Sequence, residues 1–125
     1  LAVNFYIPAK EEFTKGTFNN LSTSMKITTV DSTYGFDPTH STTADLSGVI
    51  ETSFTNIGGV SMVSGKVYGD NYTFIGTSGA DSVAKVILFD NNTSKLIACY
   101  DPQVLIGDGL GYTITWLSGI IFEII

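Results

Sequence analysis

The chain has 125 residues, enough for one domain spanning 1–125 and burying about two-thirds of the surface its unfolded form exposes. Six lysines, no arginine and twelve carboxylates give a net charge of -6, which argues against phosphate-binding surfaces for nucleic acid and against docking on anionic membranes. A single cysteine excludes an intrachain disulfide and a thiolate zinc site.

Leu1 to Ile7 carries apolar residues at both strand parities and lacks a basic n-region, so it reads as an extended arm and not as a signal peptide. Such a segment must be sandwiched in a core or docked on a partner, and docking on a neighbouring subunit is the expectation. Pro8 to Asn19 is the one helix-period stretch. Proline suits a first helical turn, Glu11 and Glu12 suit the N-terminal end, and Gly16 keeps the helix short.

Met25 to Val30 alternates as a half-buried strand, and residues 31–47 form a polar surface loop with no hidden element. Ser47 to Phe54 resumes strand character, followed by a turn at Asn56-Ile57-Gly58-Gly59. Val60 to Val63, Lys66 to Tyr68 and Tyr72 to Ile75 read as short strands, the last after a turn at Gly69-Asp70-Asn71. Val83 to Phe89 and Lys95 to Tyr100 flank the polar loop Asp90-Asn91-Asn92-Thr93-Ser94, which predicts a β-hairpin. Both runs are apolar at odd and even positions, so they should be central strands covered on both faces, with Cys99 a small buried hydrophobe. After a turn at Gly107-Asp108-Gly109, Tyr112, Ile114 and Trp116 share one side of a strand opposite Thr113 and Thr115. The closing Ile120 to Ile125 reads as a core strand of the same chain. The resulting fold class is all-β, an antiparallel β-sandwich or barrel with one short N-terminal helix.

Only 14% of the residues are charged, against roughly 25% in a typical soluble domain, so Ser, Thr, Asn and Gly must cover the surface. Such a surface suits a strand-rich protein that packs against neighbours. Candidate subunit-interface residues are Leu1, Val3, Phe5, Ile7, Ile121 and Ile125 at the two sticky ends.

Chemistry is hard to find. The lone histidine, His40, lies near Asp31, Asp37 and Asp45, but a His–carboxylate pair needs a nucleophile at fixed geometry and no G-x-S-x-G elbow is present. Asp70, Asp81, Asp90, Asp101 and Asp108 fall in turns, where aspartate bonds its own backbone. No EF-hand or nonapeptide glycine repeat marks a calcium site, and the glycine pairs form neither a P-loop nor a dinucleotide fingerprint. The expectation is therefore no enzyme, no cofactor and no metal. Most of the aromatics fall in apolar strand runs, so Tyr34 and Phe36, with His40, are the candidate exposed loop contacts, as for sugar stacking.

The motif order resembles small virion structural proteins of tailed bacteriophages. The matching stretches are Lys10-Glu11-Glu12, then Met25 to Val30 running into Asp31-Ser32-Thr33-Tyr34-Gly35-Phe36-Asp37-Pro38-Thr39-His40. Leu46-Ser47-Gly48, Asn56-Ile57-Gly58-Gly59, the hairpin ending at Ile97 to Asp101, Tyr112-Thr113-Ile114-Thr115-Trp116 and Gly119-Ile120-Ile121-Phe122 follow in order. Where the pattern has an acidic Asp-Asp stretch, this chain has Gly76 to Asp81. The resemblance implies no catalytic residues. It implies a virion component assembled in the host cytoplasm, with the major capsid protein or other virion proteins as partners. A head decoration (cement) protein, as a homo-oligomer, is the first expectation. The alternatives are a tail, neck or fibre component that binds partners or a host glycan, and a non-viral β-sandwich binding module.

Overall fold

A computed structural model describes residues 3–16, 21–75, 82–101 and 111–123. The fold is all-β, built of antiparallel sheets with one helix longer than a single turn. Strand β1 (Val3–Phe5) leads into helix α1 (Ile7–Lys15), and a one-turn helix α2 (Leu21–Ser24) leads into β2 (Met25–Val30). Then come β3 (Val49–Thr52), β4 (Ser61–Val63), β5 (Lys66–Tyr68), β6 (Tyr72–Ile75), β7 (Lys85–Asp90), β8 (Leu96–Tyr100), β9 (Gly111–Ile114) and β10 (Ile120–Glu123). The expected turn at Gly107-Asp108-Gly109, the Gly76 to Asp81 stretch, and Leu1 and Ile125 lie outside the described residues.

The main sheet has the order β1-β8-β7-β2-β3, with smaller sheets β10-β5-β4 and β6-β9. Its centre is the expected hairpin of β7 and β8, whose strand residues are all buried except the partly covered Lys85. Apolar side chains at both parities are accommodated because both faces of the sheet are covered. One face presents Met25, Ile27, Val86, Leu88, Ala98 and Tyr100 to Val67, Phe74, Tyr112, Ile114, Ile121 and Phe122 of the smaller sheets. The other presents Val30, Ile87, Phe89, Leu96 and Cys99 to Tyr6, Ala9 and Tyr34. The register slips between Leu88↔Ala98 and Phe89↔Leu96, and this bulge sends both Ile97 and Ala98 into the same core.

Several local expectations are corrected by this double cover. Strand β2 is not half-buried. Only Lys26 is partly exposed, and the threonines go inside because their hydroxyls are satisfied. Thr28 Oγ1 donates to the Glu51 carbonyl at 3.1 Å, and Thr29 Oγ1 lies 3.0 Å from the Tyr112 hydroxyl. Helix α1 begins at Ile7, with proline in its first turn, so Glu11 and Glu12 sit mid-helix and not at its N-terminal end. Glu12 accepts a 2.8 Å bond from Lys95 Nζ, tying the helix to the start of β8.

Residues 31–47 do contain structure. A 3-10 turn at Thr43–Asp45 and a bridge between Thr42 and Lys95 lay this segment along the sheet, with Asp45 taking the Ser41 and Thr42 amides at 2.9 and 3.2 Å. The expectation that the N-terminal arm docks on a neighbouring subunit is likewise corrected for Val3–Phe5, which pairs within its own chain. Val3–Phe5 pairs antiparallel with Tyr100, Cys99 and Ala98, and Phe5 packs edge-on against Phe122 at 5.6 Å. Within the strand Val3 and Phe5 share one side, and exposed Asn4 takes the other. The hairpin of β4 and β5 turns through Ser64 (φ 51) and Gly65 (φ 80), the two successive left-handed residues that a tight two-residue connection needs.

Candidate functional site

The loop residues singled out in the sequence come together, but as a clasp and not as an exposed platform. Tyr34 is only 3% exposed, which corrects its assignment as an exposed contact. Its hydroxyl lies 2.8 Å from that of Tyr6 and 2.9 Å from His40 Nδ1. Phe36, half-buried, packs on Tyr6 with ring centroids 5.1 Å apart. His40 is partly exposed and sits 3.9 Å from Asp37 through Nε2. The loop buries its aromatics because the helix-side face of the main sheet would otherwise be bare.

The electrostatics of this cluster are set mainly by burial. Burial, reinforced by the Tyr34 hydrogen bond, pushes the Tyr6 phenol far above its ordinary value, and burial raises Tyr34 too. Burial pushes the Cys99 thiol up to about 11, against a smaller opposing pull from Lys85. A thiol held protonated is a poor nucleophile. The carboxylates bond their own turns: Asp31 accepts the Thr33 amide at 2.9 Å and Asp37 the Thr39 amide at 2.9 Å. These bonds, led by the threonine hydroxyls, lower both carboxyl groups below the usual range. Asp90 likewise caps its loop, taking the Asn92 amide at 3.1 Å and the Thr93 hydroxyl at 2.9 Å. Among the described residues no three His, Cys, Asp or Glu side chains gather as a metal site.

Of the candidate interface residues, Val3 and Ile7 are exposed at 37% and 43%, Phe5 is half-buried, and Ile121 is sealed in the chain's own core. Ile121 therefore cannot serve a neighbour. It belongs to the buried side of β10 and packs into the cluster around Trp116. Leu1 and Ile125 lie outside the described residues.

The most exposed apolar side chains among the described residues were missed by sequence reasoning. Phe54 is 90% exposed and Ile75 84%, and both border a cleft of about 260 Å3 with Glu51, Thr52, Tyr72, Thr73 and Phe74. The backbone of Phe54 is fixed by its amide donating to the Tyr72 hydroxyl at 2.9 Å, and Tyr72 is braced edge-on against Phe74 at 4.9 Å. The Phe54 ring stands out because its neighbour Ser53 takes the inner position. Ser53 donates its amide to the Ile27 carbonyl at 2.7 Å and accepts the Ile27 amide on Oγ at 3.0 Å. A lone aromatic inside the polar run Ser53-Phe54-Thr55-Asn56 is the signal that could have marked it. Met62 and Val63 on β4, at the edge of its sheet, are also exposed, at 64% and 57%.

The chain matches no protein-family model, no curated protein and no solved structure.

Proposed function

We propose that this protein is a structural component of a tailed-bacteriophage virion, a head decoration protein that ties neighbouring capsid subunits together. In this proposal the fold is a sandwich, because β1 and β3 end the main sheet and the smaller sheets cover one face of it. The observation that carries the function is the pair Phe54 and Ile75, two large apolar side chains held almost wholly in water beside a shallow cleft. Exposed apolar groups on a weakly charged surface are the usual marks of a surface covered in an assembly. The resemblance of the motif order to small virion proteins suggests the kind of assembly, and repetition over a lattice would turn modest contacts into a firm clamp.

The test is size-exclusion chromatography with light scattering, followed by co-sedimentation with emptied phage heads. The expected result is co-pelleting that is lost in Phe54→Lys and Ile75→Lys while the fold is retained. A wild-type chain that stays in the supernatant overturns the decoration role.

The Phe54 ring, flanked by Thr52, Thr73 and Glu51, also favours a second reading, a tail component whose aromatic face stacks on a host sugar. Binding to a glycan array that Phe54→Ala abolishes, with no binding to heads, would select it.

A further inference from the structure

The sheet β10-β5-β4 ends in β4, whose residues Ser61, Met62 and Val63 are all exposed. Among the described residues no strand lies beyond it. Residues that flank a two-residue connection bond each other, so Val63, facing Lys66, turns its N–H and C=O groups toward β5. Ser61, facing Tyr68, does the same, and Met62 between them turns both groups to the open edge. The Met62 side chain stands opposite the buried Val67, on the core side of the sheet, yet is 64% exposed. Val60, two residues earlier, packs partly buried against the same core. Met62 is therefore a core-side position with no strand beside it to cover it.

Two other sheet edges are blunted. Strand β10 carries a register shift and Glu123, and β3 a register shift and Glu51. Strand β4 has neither, and residues 52–65 hold no charged side chain in a chain of net charge -6.

We propose that β4 pairs antiparallel with β4 of a second copy, about a two-fold axis at Ser61. In this register Met62 of each copy lies opposite Val60 of the other, so the outward backbone groups exchange hydrogen bonds. Each Met62 side chain is then covered on the core side, between its own Val67 and Val60 of the second copy. Serine meets serine on the outer side. A second copy is the occupant because the segment is its own complement, apolar on apolar and serine on serine, and because two acidic chains can meet along an uncharged edge without opposing carboxylates. The edge is short, so the dimer is a weak one that forms at high micromolar to millimolar concentration. The contact stands independently of the virion role and of the surface around Phe54 and Ile75.

The test is a dilution series followed by 15N NMR and light scattering. The Met62 amide should shift with concentration and gain protection from solvent exchange, while the scattering mass rises toward that of a dimer. Ser61 is exposed, so its substitution leaves the fold intact. Ser61→Lys and Ser61→Asp should each weaken the dimer by about fivefold, because like charges then stand directly opposite, and mixing the two variants should restore it. Phe54→Lys should leave the dimer unchanged. A chain that stays monomeric at millimolar concentration overturns the proposal and leaves this edge to a strand of another protein. So does a dimer that both Ser61 variants keep, a mixture that fails to re-form it, or a dimer that Phe54→Lys dissolves.

Discussion

The hydroxyls of Tyr6 and Tyr34 meet at 2.8 Å across 28 residues of sequence, joining the residue before helix α1 to the loop after β2. Both rings are buried, and the pair reaches the surface through His40. The contact closes the helix-side face of the main sheet, over Ile87, Leu96 and Cys99.

Removing that contact tests its structural weight. Tyr34→Phe keeps the ring but leaves the Tyr6 hydroxyl and His40 Nδ1 without their common partner. A loss of about 1–2 kcal/mol is expected in urea unfolding, since one buried donor or acceptor is stranded. His40→Ala, at the wetter end of the chain of bonds, should cost less.

The pH dependence follows from the same burial. Burial raises the Tyr6, Tyr34, Tyr100 and Tyr112 phenols above 10.0 and takes the Cys99 thiol from 9.0 to about 11. The unfolded chain therefore releases these protons first, so their contribution to stability is complete below about pH 9 and is lost as pH rises through 9 to 11 and beyond. Asp31, Asp37 and Asp45 run the other way. Their hydrogen-bonded carboxylates are lowered from 3.8, and the stability they confer is lost as pH falls below that value. Chemical unfolding between pH 2 and 11 should show a plateau between these limits. In Cys99→Ala the alkaline decline should begin later, and native Cys99 should resist a thiol reagent at pH 8.

Gly48 sits at φ +62, and a Cβ there would lie 2.0 Å from Asp31 Oδ1 and 2.3 Å from Thr33 Oγ1. Its carbonyl accepts the Asp31 amide at 2.9 Å, so the strain cannot be relieved without opening the turn that begins the long loop. Gly48→Ala should destabilise by about 1–3 kcal/mol in thermal unfolding. Gly35→Ala, with open space around its Cβ and no left-handed φ, is the control that should stay near neutral.

Phe54→Lys and Ile75→Lys should leave the unfolding midpoint within about 0.5 kcal/mol of wild type, because neither side chain contributes much to the core. A large stability loss instead would mean that these side chains are buried in the folded chain.

What the sequence determined by itself is the set of elements whose pattern is strictly local. The two-faced apolar runs of β7 and β8, the alternation of Tyr112, Ile114 and Trp116, and the turn at Asp90 depend on backbone period and on a side chain bonding two residues away. Tertiary structure decided which polar-looking segments go inside. Thr29 is buried because Tyr112, 83 residues on, offers a hydroxyl, and Ser53 displaces Phe54 from the inner position because it bonds the edge of Ile27. Tyr34 is covered because Tyr6 and the helix need a lid, and Val3–Phe5 finds a partner in β8. In each case the deciding partner is distant in the chain, and composition within a few residues carries no record of it.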